Sequence, residues 1–234
     1  MSDFSYIKEN LVNLRRELCE LSVGGECPTL VCVTKSASDE ELLYLASLGE
    51  VHIAENRPSE TKRRYELLRA HGYSPMMHQI GTLQRNKVKL LADIVYAIHS
   101  LDTERLAMDI SKRATELSRK IPVLIEVNSA REEQKGGVNP ECVEEFLLKV
   151  RELPGISVCG LMTMGPVCDN PEELRPYFKE TRALFDRLKE RYGFGENPIL
   201  SMGMSDSYRV AIEEGATLVR IGRRLFIKET DRNV

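Results

Sequence analysis

The sequence predicts a closed (β/α)8 barrel as a single domain over residues 1–234, with one additional helix at its amino end. Three observations carry that prediction. Eight short strand-like runs alternate with amphipathic helical patterns, an order that favours parallel strands joined by right-handed crossovers. The first run, Leu30–Lys35, is built from small and β-branched residues that suit a strand covered on both faces. The turn after it holds Lys35 and lacks the glycine-rich signature of a doubly wound open sheet, which is the alternative fold. No linker, low-complexity tract or shift of composition divides the chain.

In chain order, Ile7, Leu11, Leu14, Leu18 and Leu21 form one apolar stripe on an amino-terminal helix, which Gly24-Gly25 ends. After Leu30–Lys35, Ser38 and Glu41 have the spacing of a capping box and open a helix on Leu42, Leu45 and Ala46. Further strand-like runs lie at Val51–Asn56, Met76–Gly81, Ile94–Ser100, Pro122–Asn128, Ile156–Met164, Pro198–Met204 and Thr217–Phe226. Asn139-Pro140 and Asn170-Pro171 each read as a cap followed by proline at the first helical position. The stripes behind them are Val143, Phe146, Leu147, Val150 and then Leu174, Phe178, Thr181, Phe185, Leu188. Tyr208, Ala211 and Ile212 line a shorter helix that ends at Gly215.

Composition excludes several classes of function. Net charge is −3, from 33 basic and 36 acidic residues spread along the chain, so there is no electrostatic footprint for nucleic acid or an anionic membrane. No apolar run reaches the length of a membrane span, the first residues lack a signal-peptide core, and the expected location is the cytoplasm. The six cysteines have no C-x-x-C spacing, and Cys32 and Cys159, inside strand-like runs, read as small core residues kept reduced. His52, His71, His78 and His99 are too dispersed to predict a metal site, and no phosphate-loop, GxGxxG or GxSxG motif occurs.

A barrel concentrates function at the carboxyl ends of its strands. Those ends hold Lys35, Glu55-Asn56, Gly81, Ser100, Asn128, Met162–Met164, Ser201–Ser205 and Arg220–Arg223. Loops after the seventh and eighth strands commonly bind phosphate. Here Ser201 and Ser205 supply hydroxyls, and Gly203 and Gly222 allow backbone N–H groups to approach an anion. A lysine at a strand end among apolar walls is expected to be desolvated and primed for Schiff-base chemistry. Lysine, phosphate cradle and buried arginine in one mouth predict a ligand with an aldehyde and a phosphate, and pyridoxal 5′-phosphate (PLP) fits.

The blocks VTKSAS around Lys35, AEN at Ala54–Asn56, HQIGTLQRNK from His78 to Lys87, GLMTM at Gly160–Met164, SMGMS at Ser201–Ser205 and AIEEGATLVRIGRRLF from Ala211 to Phe226 occur in this order. From about Leu11 to Phe226 the chain resembles the PLP homeostasis proteins, which in turn resemble the barrel domain of alanine racemase without its second domain. The resemblance implies that Lys35 forms the internal aldimine, that Arg220 faces the pyridine nitrogen, and that Ser201 and Gly222 contact the phosphate beside the backbone of Met202 and Arg223. It places Asn56 near the cofactor ring and makes His78 a supporting residue of the barrel interior. Arg223 stands where this family usually has Thr or Ser, so it either pairs with the phosphate or leaves the binding to its N–H group. Ala54 replaces the usual glycine of its block, and Ser207 an acidic residue.

An arginine stays protonated, so opposite the ring nitrogen it disfavours a pyridinium and with it deep carbanion chemistry. Racemisation needs a second base, which the racemase takes from a partner domain. The resemblance therefore implies a carrier, not an enzyme, which passes PLP to free amino acids or apo-enzymes and has no nucleic-acid or membrane partner. The competing readings are a single-domain PLP racemase and a Schiff-base, phosphate-binding barrel enzyme without PLP.

Overall fold

The computed structural model describes residues 3–22, 25–132 and 134–228. Eight strands close into a parallel barrel in sequence order: β1 (Thr29–Val33), β2 (His52–Glu55), β3 (Met76–Gln79), β4 (Val95–Leu101), β5 (Ile121–Glu126), β6 (Ile156–Met162), β7 (Ile199–Ser201) and β8 (Leu218–Ile221). Closure is made by β8 against β1, with Val31 opposite Arg220 and Cys32 opposite Ile221. The open-sheet alternative is thereby excluded.

Alternation along the strands sorts side chains into two sets. Cys32, Ile53, Met77, Val123, Ile125, Leu161, Leu200, Val219 and Ile221 pack outward into the continuous core under the helices. Val31, Val33, Ala54 and Leu218 form a separate small cluster in the lumen. On the same inward-facing register lie Glu126, Ser201 and Arg220, so the lumen is apolar in part and polar towards its carboxyl end.

The helices are α1 (Ser5–Glu20), α2 (Asp39–Ser47), α3 (Pro58–Ala70), α4 (Glu104–Glu116), α5 (Val143–Val150), α6 (Arg175–Tyr192), α7 (Tyr208–Glu213) and α8 (Arg223–Phe226). Ile7, Leu11, Leu14 and Leu18 of α1 are buried, each contributing roughly 1.5–3 kcal/mol of burial. Leu21 lies just past the helix, half-buried, and Gly24 is outside the described residues. The amide of Asn10 donates to the carbonyls of Leu225 (3.1 Å) and Ile227 (2.9 Å), tying α1 to α8. The capping box is present: Ser38 accepts from the Glu41 N–H, and the Glu41 carboxylate accepts from the Ser38 N–H.

Several local expectations are corrected. The eighth run does not continue as a strand to Phe226; it stops at Ile221, and Arg223–Phe226 turn into α8 and bury Leu225. The seventh ends at Ser201 because Gly203 takes φ +89°, where a Cβ would meet that of Ala211 at 2.5 Å. Asn139 makes no side-chain cap; Pro140–Cys142 form a 3-10 turn ahead of α5. Asn170 does cap, accepting from the Glu172 N–H at 3.1 Å, but it too opens a 3-10 turn before α6. Only a 3-10 segment, Arg85–Leu90, lies between β3 and β4. Cys32 and Cys159 are free thiols, as the strand-like runs around them imply, whereas Cys19 and Cys27 are joined in a disulfide with Cα atoms 4.7 Å apart. The end of α1 and the return of the chain to β1 bring them together, a pairing for which their spacing carries no signal.

Candidate functional site

The turn carrying Lys35 is held from below. Thr34 donates from its N–H to the Ala54 carbonyl (3.0 Å) and from its hydroxyl to the buried carboxylate of Glu55 (2.6 Å). Arg64, buried on α3, donates to the carbonyls of Ala37 and Ser38 and to Asp39. These bonds fix the loop from residue 34 to residue 39 against β2 and α3. Lys35 itself is exposed, which corrects the expectation of an amine walled by apolar side chains.

Arg220 is buried in the lumen at 3% exposure. It donates through Nη1 to the carbonyl (2.9 Å) and hydroxyl (2.6 Å) of Ser201, and through Nη2 to the carbonyl of Thr163 (3.1 Å). Burial lowers its pKa to about 10, with Glu126 acting in the opposite direction. Its charge is therefore retained at neutral pH, fixed by three bonds from β7 and the end of β6. Glu126 is the nearby anion. Burial pushes its carboxyl up to about 7, Asp102 adding like charge and Arg220 pulling back.

Ser201 is wholly buried, so its hydroxyl serves Arg220 from below the rim. The N–H of Met202 donates to the Leu218 carbonyl at 3.2 Å, which commits it to the β7–β8 connection. The Met202 side chain is buried in the outer core. Gly222 lies where a Cβ would come within 2.8 Å of the Val33 carbonyl oxygen, so β8 leaves the barrel in close contact with the end of β1. The exposed Arg223 side chain pairs with Asp206 at 2.8 Å. Ser205 is buried in the same β7–α7 loop, and Ser207 accepts from the Met204 N–H at 3.1 Å.

Asn56 is half-buried; its carbonyl accepts from Gln79 Nε2 at 2.8 Å, and Gly81 packs directly on its backbone. It borders a surface cavity of about 340 Å³ with Thr82 and Lys87. Asn128 turns back on its own loop, bonding the backbone of Glu132 at 3.0 and 3.2 Å. Met162 is buried, and Met164 and Met204 are exposed at the rim.

One feature of the lumen lay outside the sequence expectations. His52 Nδ1 is 2.9 Å from His78 Nε2, His78 Nδ1 is 2.9 Å from His99 Nε2, and His99 Nδ1 is 3.0 Å from Ser201 Oγ. The expectation that His78 supports the barrel interior holds, and two more histidines join it. The chain runs from Arg220 to the amino ends of the strands, where His52, His78 and Tyr96 border a cavity of about 890 Å³. Among the described residues no group of three or more His, Cys, Asp or Glu is arranged to hold a metal ion, and no helix is long and apolar enough to cross a membrane.

Residues 3–229 match the family model described as alanine racemase, N-terminal domain. The chain is 45% identical over 212 residues to the pyridoxal phosphate homeostasis protein of Aquifex aeolicus, covering 90% of this chain and 92% of that one. It is 32% identical over 219 residues to the protein of the same name from Schizosaccharomyces pombe, with 92% and 90% covered. Among solved structures it is similar to PipY of Synechococcus elongatus with PLP bound, at TM-score 0.82 and 27% identity, covering 94% of this chain and all of that one.

Proposed function

The chain belongs to the pyridoxal phosphate homeostasis proteins, on the alanine racemase N-terminal domain, and from that premise we propose that it is a PLP-binding carrier with Lys35 as the covalent attachment point. The observation that carries this reading is that Arg220, a cation fixed in the lumen on β8, lies on the strand that pairs with β1, and β1 is followed by the turn that exposes Lys35. The residues present fit PLP. An exposed amine stands in the turn after β1, a guanidinium is fixed in the lumen on β8, and Gly222, with no Cβ, lets β8 leave the barrel hard against the Val33 carbonyl. When bound, the group supplies an aldehyde that condenses with one amine and passes to another.

The chain's own residues divide the work. Arg220 orients the ring from below and, being a donor without lone pairs, discourages protonation of an acceptor placed against it. Ser201 acts through Arg220. The phosphate is assigned to the backbone of Gly222 and Arg223, with Ser205 as a buried hydroxyl of the β7–α7 loop; Met202 contributes the turn but not its committed N–H group. Asn56 borders the ring side of the mouth. Recipients are free amino acids and apo-enzymes in the cytoplasm, and the whole of residues 1–234 is taken as one domain.

A second reading, α-proton chemistry on an amino acid, draws on Glu126, whose carboxyl near neutrality is suited to proton transfer. The test of the carrier reading is the absorption spectrum of purified protein with PLP, followed by borohydride reduction and mapping of the labelled lysine. Label on Lys35, lost in a folded Lys35→Ala variant, is the expected result. Label on another lysine removes Lys35 from its role.

A further inference from the structure

The hydrogen bonds of the histidine chain have a direction, and Arg220 sets it. A guanidinium has five donors and no acceptor, so Ser201 Oγ accepts from Nη1. The other partner of that buried hydroxyl is His99 Nδ1, to which its single proton is therefore donated. His99 then carries its proton on Nε2 and donates to His78 Nδ1; His78 likewise donates from Nε2 to His52 Nδ1. The remaining nitrogen of His52, Nε2, holds the last proton at the cavity between the amino ends of the strands.

We propose that His52, His78 and His99 form a one-directional positioning chain that holds the Ser201 hydroxyl with its lone pair towards Arg220, so that His52 at the amino end of the barrel positions the arginine in the mouth. This rests on the mouth being the PLP site. The reverse direction, with each ring protonated on Nδ1, brings two donors to Ser201 Oγ and leaves its own proton without an acceptor inside a buried site. The chain needs neutral rings, and burial supplies that condition: it lowers the His52 pKa, lowers that of His78 to about 3, and holds that of His99 well below its ordinary value. His52, half-buried, is the ring through which a molecule in the cavity makes itself felt at Arg220.

Nitrogen-15 NMR of histidine-labelled protein, with and without PLP, reads the tautomers directly. The expected pattern at neutral pH is Nε2–H on His52, His78 and His99. Replacing His52 by Phe keeps a ring against Tyr96 but removes the acceptor for His78. It should populate the second tautomer at His99, two rings away, and weaken PLP retention several-fold. His52→Asn, whose amide oxygen lies near the place of Nδ1, should restore both. Nδ1–H on His99 in the wild type overturns the proposal whether or not the variants fold, as does a His99 tautomer unmoved by His52→Phe. The PLP absorption band is scored separately. Nε2–H tautomers without any PLP complex would sink the functional reading and leave the chain standing, whereas a PLP complex without them does the opposite.

Discussion

Arg220 on the last strand grips Ser201 on the strand before it twice, at the carbonyl (2.9 Å) and at the hydroxyl (2.6 Å). A third bond to Thr163 completes a bracket that a single ammonium group cannot reproduce. Arg220→Lys should therefore lower stability by about 1–3 kcal/mol, because buried carbonyls lose partners. PLP retention should fall with it. Urea unfolding and equilibrium dialysis check the two effects, and unchanged values for both would show that the bracket is dispensable.

Gly222→Val tests the anion side of the mouth. The new Cβ would meet the Val33 carbonyl oxygen at 2.8 Å, so β8 must move away from β1. Weaker PLP retention in a folded variant is expected, with little change in which lysine reacts. Retention equal to wild type would move the phosphate elsewhere.

Glu126 gives a pH signature. Its folded carboxyl titrates at about 7, against a reference of 4.5. The folded state thus holds this proton more tightly than the unfolded chain. The contribution, at most about 3 kcal/mol, is present below pH 4.5 and is withdrawn as pH rises through 7. His78 works in the other direction: its folded pKa is about 3 against 6.5, so stability is lost as pH falls below 6.5. Glu126→Gln should be more stable, relative to wild type, at pH 8 than at pH 5. Equal differences in urea midpoint at the two values would contradict this.

The carrier reading predicts background rates of α-proton exchange when the PLP-loaded protein is held with alanine in deuterated water. Exchange well above free PLP, lost in both Lys35→Ala and Glu126→Gln, would favour the enzymatic reading and give Glu126 the part of second base.

Much of the mouth was legible because it depends on where strands end. Lys35 follows the apolar run of β1 and Arg220 lies near the end of the run of β8, and that placement survives errors of a few residues in the boundaries. The last run was read too far because Leu225 and Phe226 continue the apolar pattern, whereas Gly222 breaks the ladder where β8 crowds Val33. The histidine chain was illegible for a different reason. His52, His78 and His99 look scattered until β2, β3 and β4 are laid side by side, and a bulge near Met77 sets the register that brings the rings together. Glu126 sits alone in an apolar strand, and only its burial near Asp102 and Arg220 marks it. Ser201 was read as a phosphate contact because its position at the strand end is visible, while the depth of its hydroxyl is not.

The strand that seals the barrel also delivers its arginine. Val31 and Arg220 face each other across nearly the whole length of the chain, so their meeting is a long-range contact of the kind that forms late in folding. A chain whose last strand has not docked presents open edges on β1 and β7, and those edges invite pairing with other molecules. It also lacks the guanidinium at which a ligand would be held. A molecule bound at the mouth thus recognises only the finished barrel, and by mass action it draws nascent or damaged chains towards closure. The supply of ligand becomes a determinant of how much folded protein a cell retains.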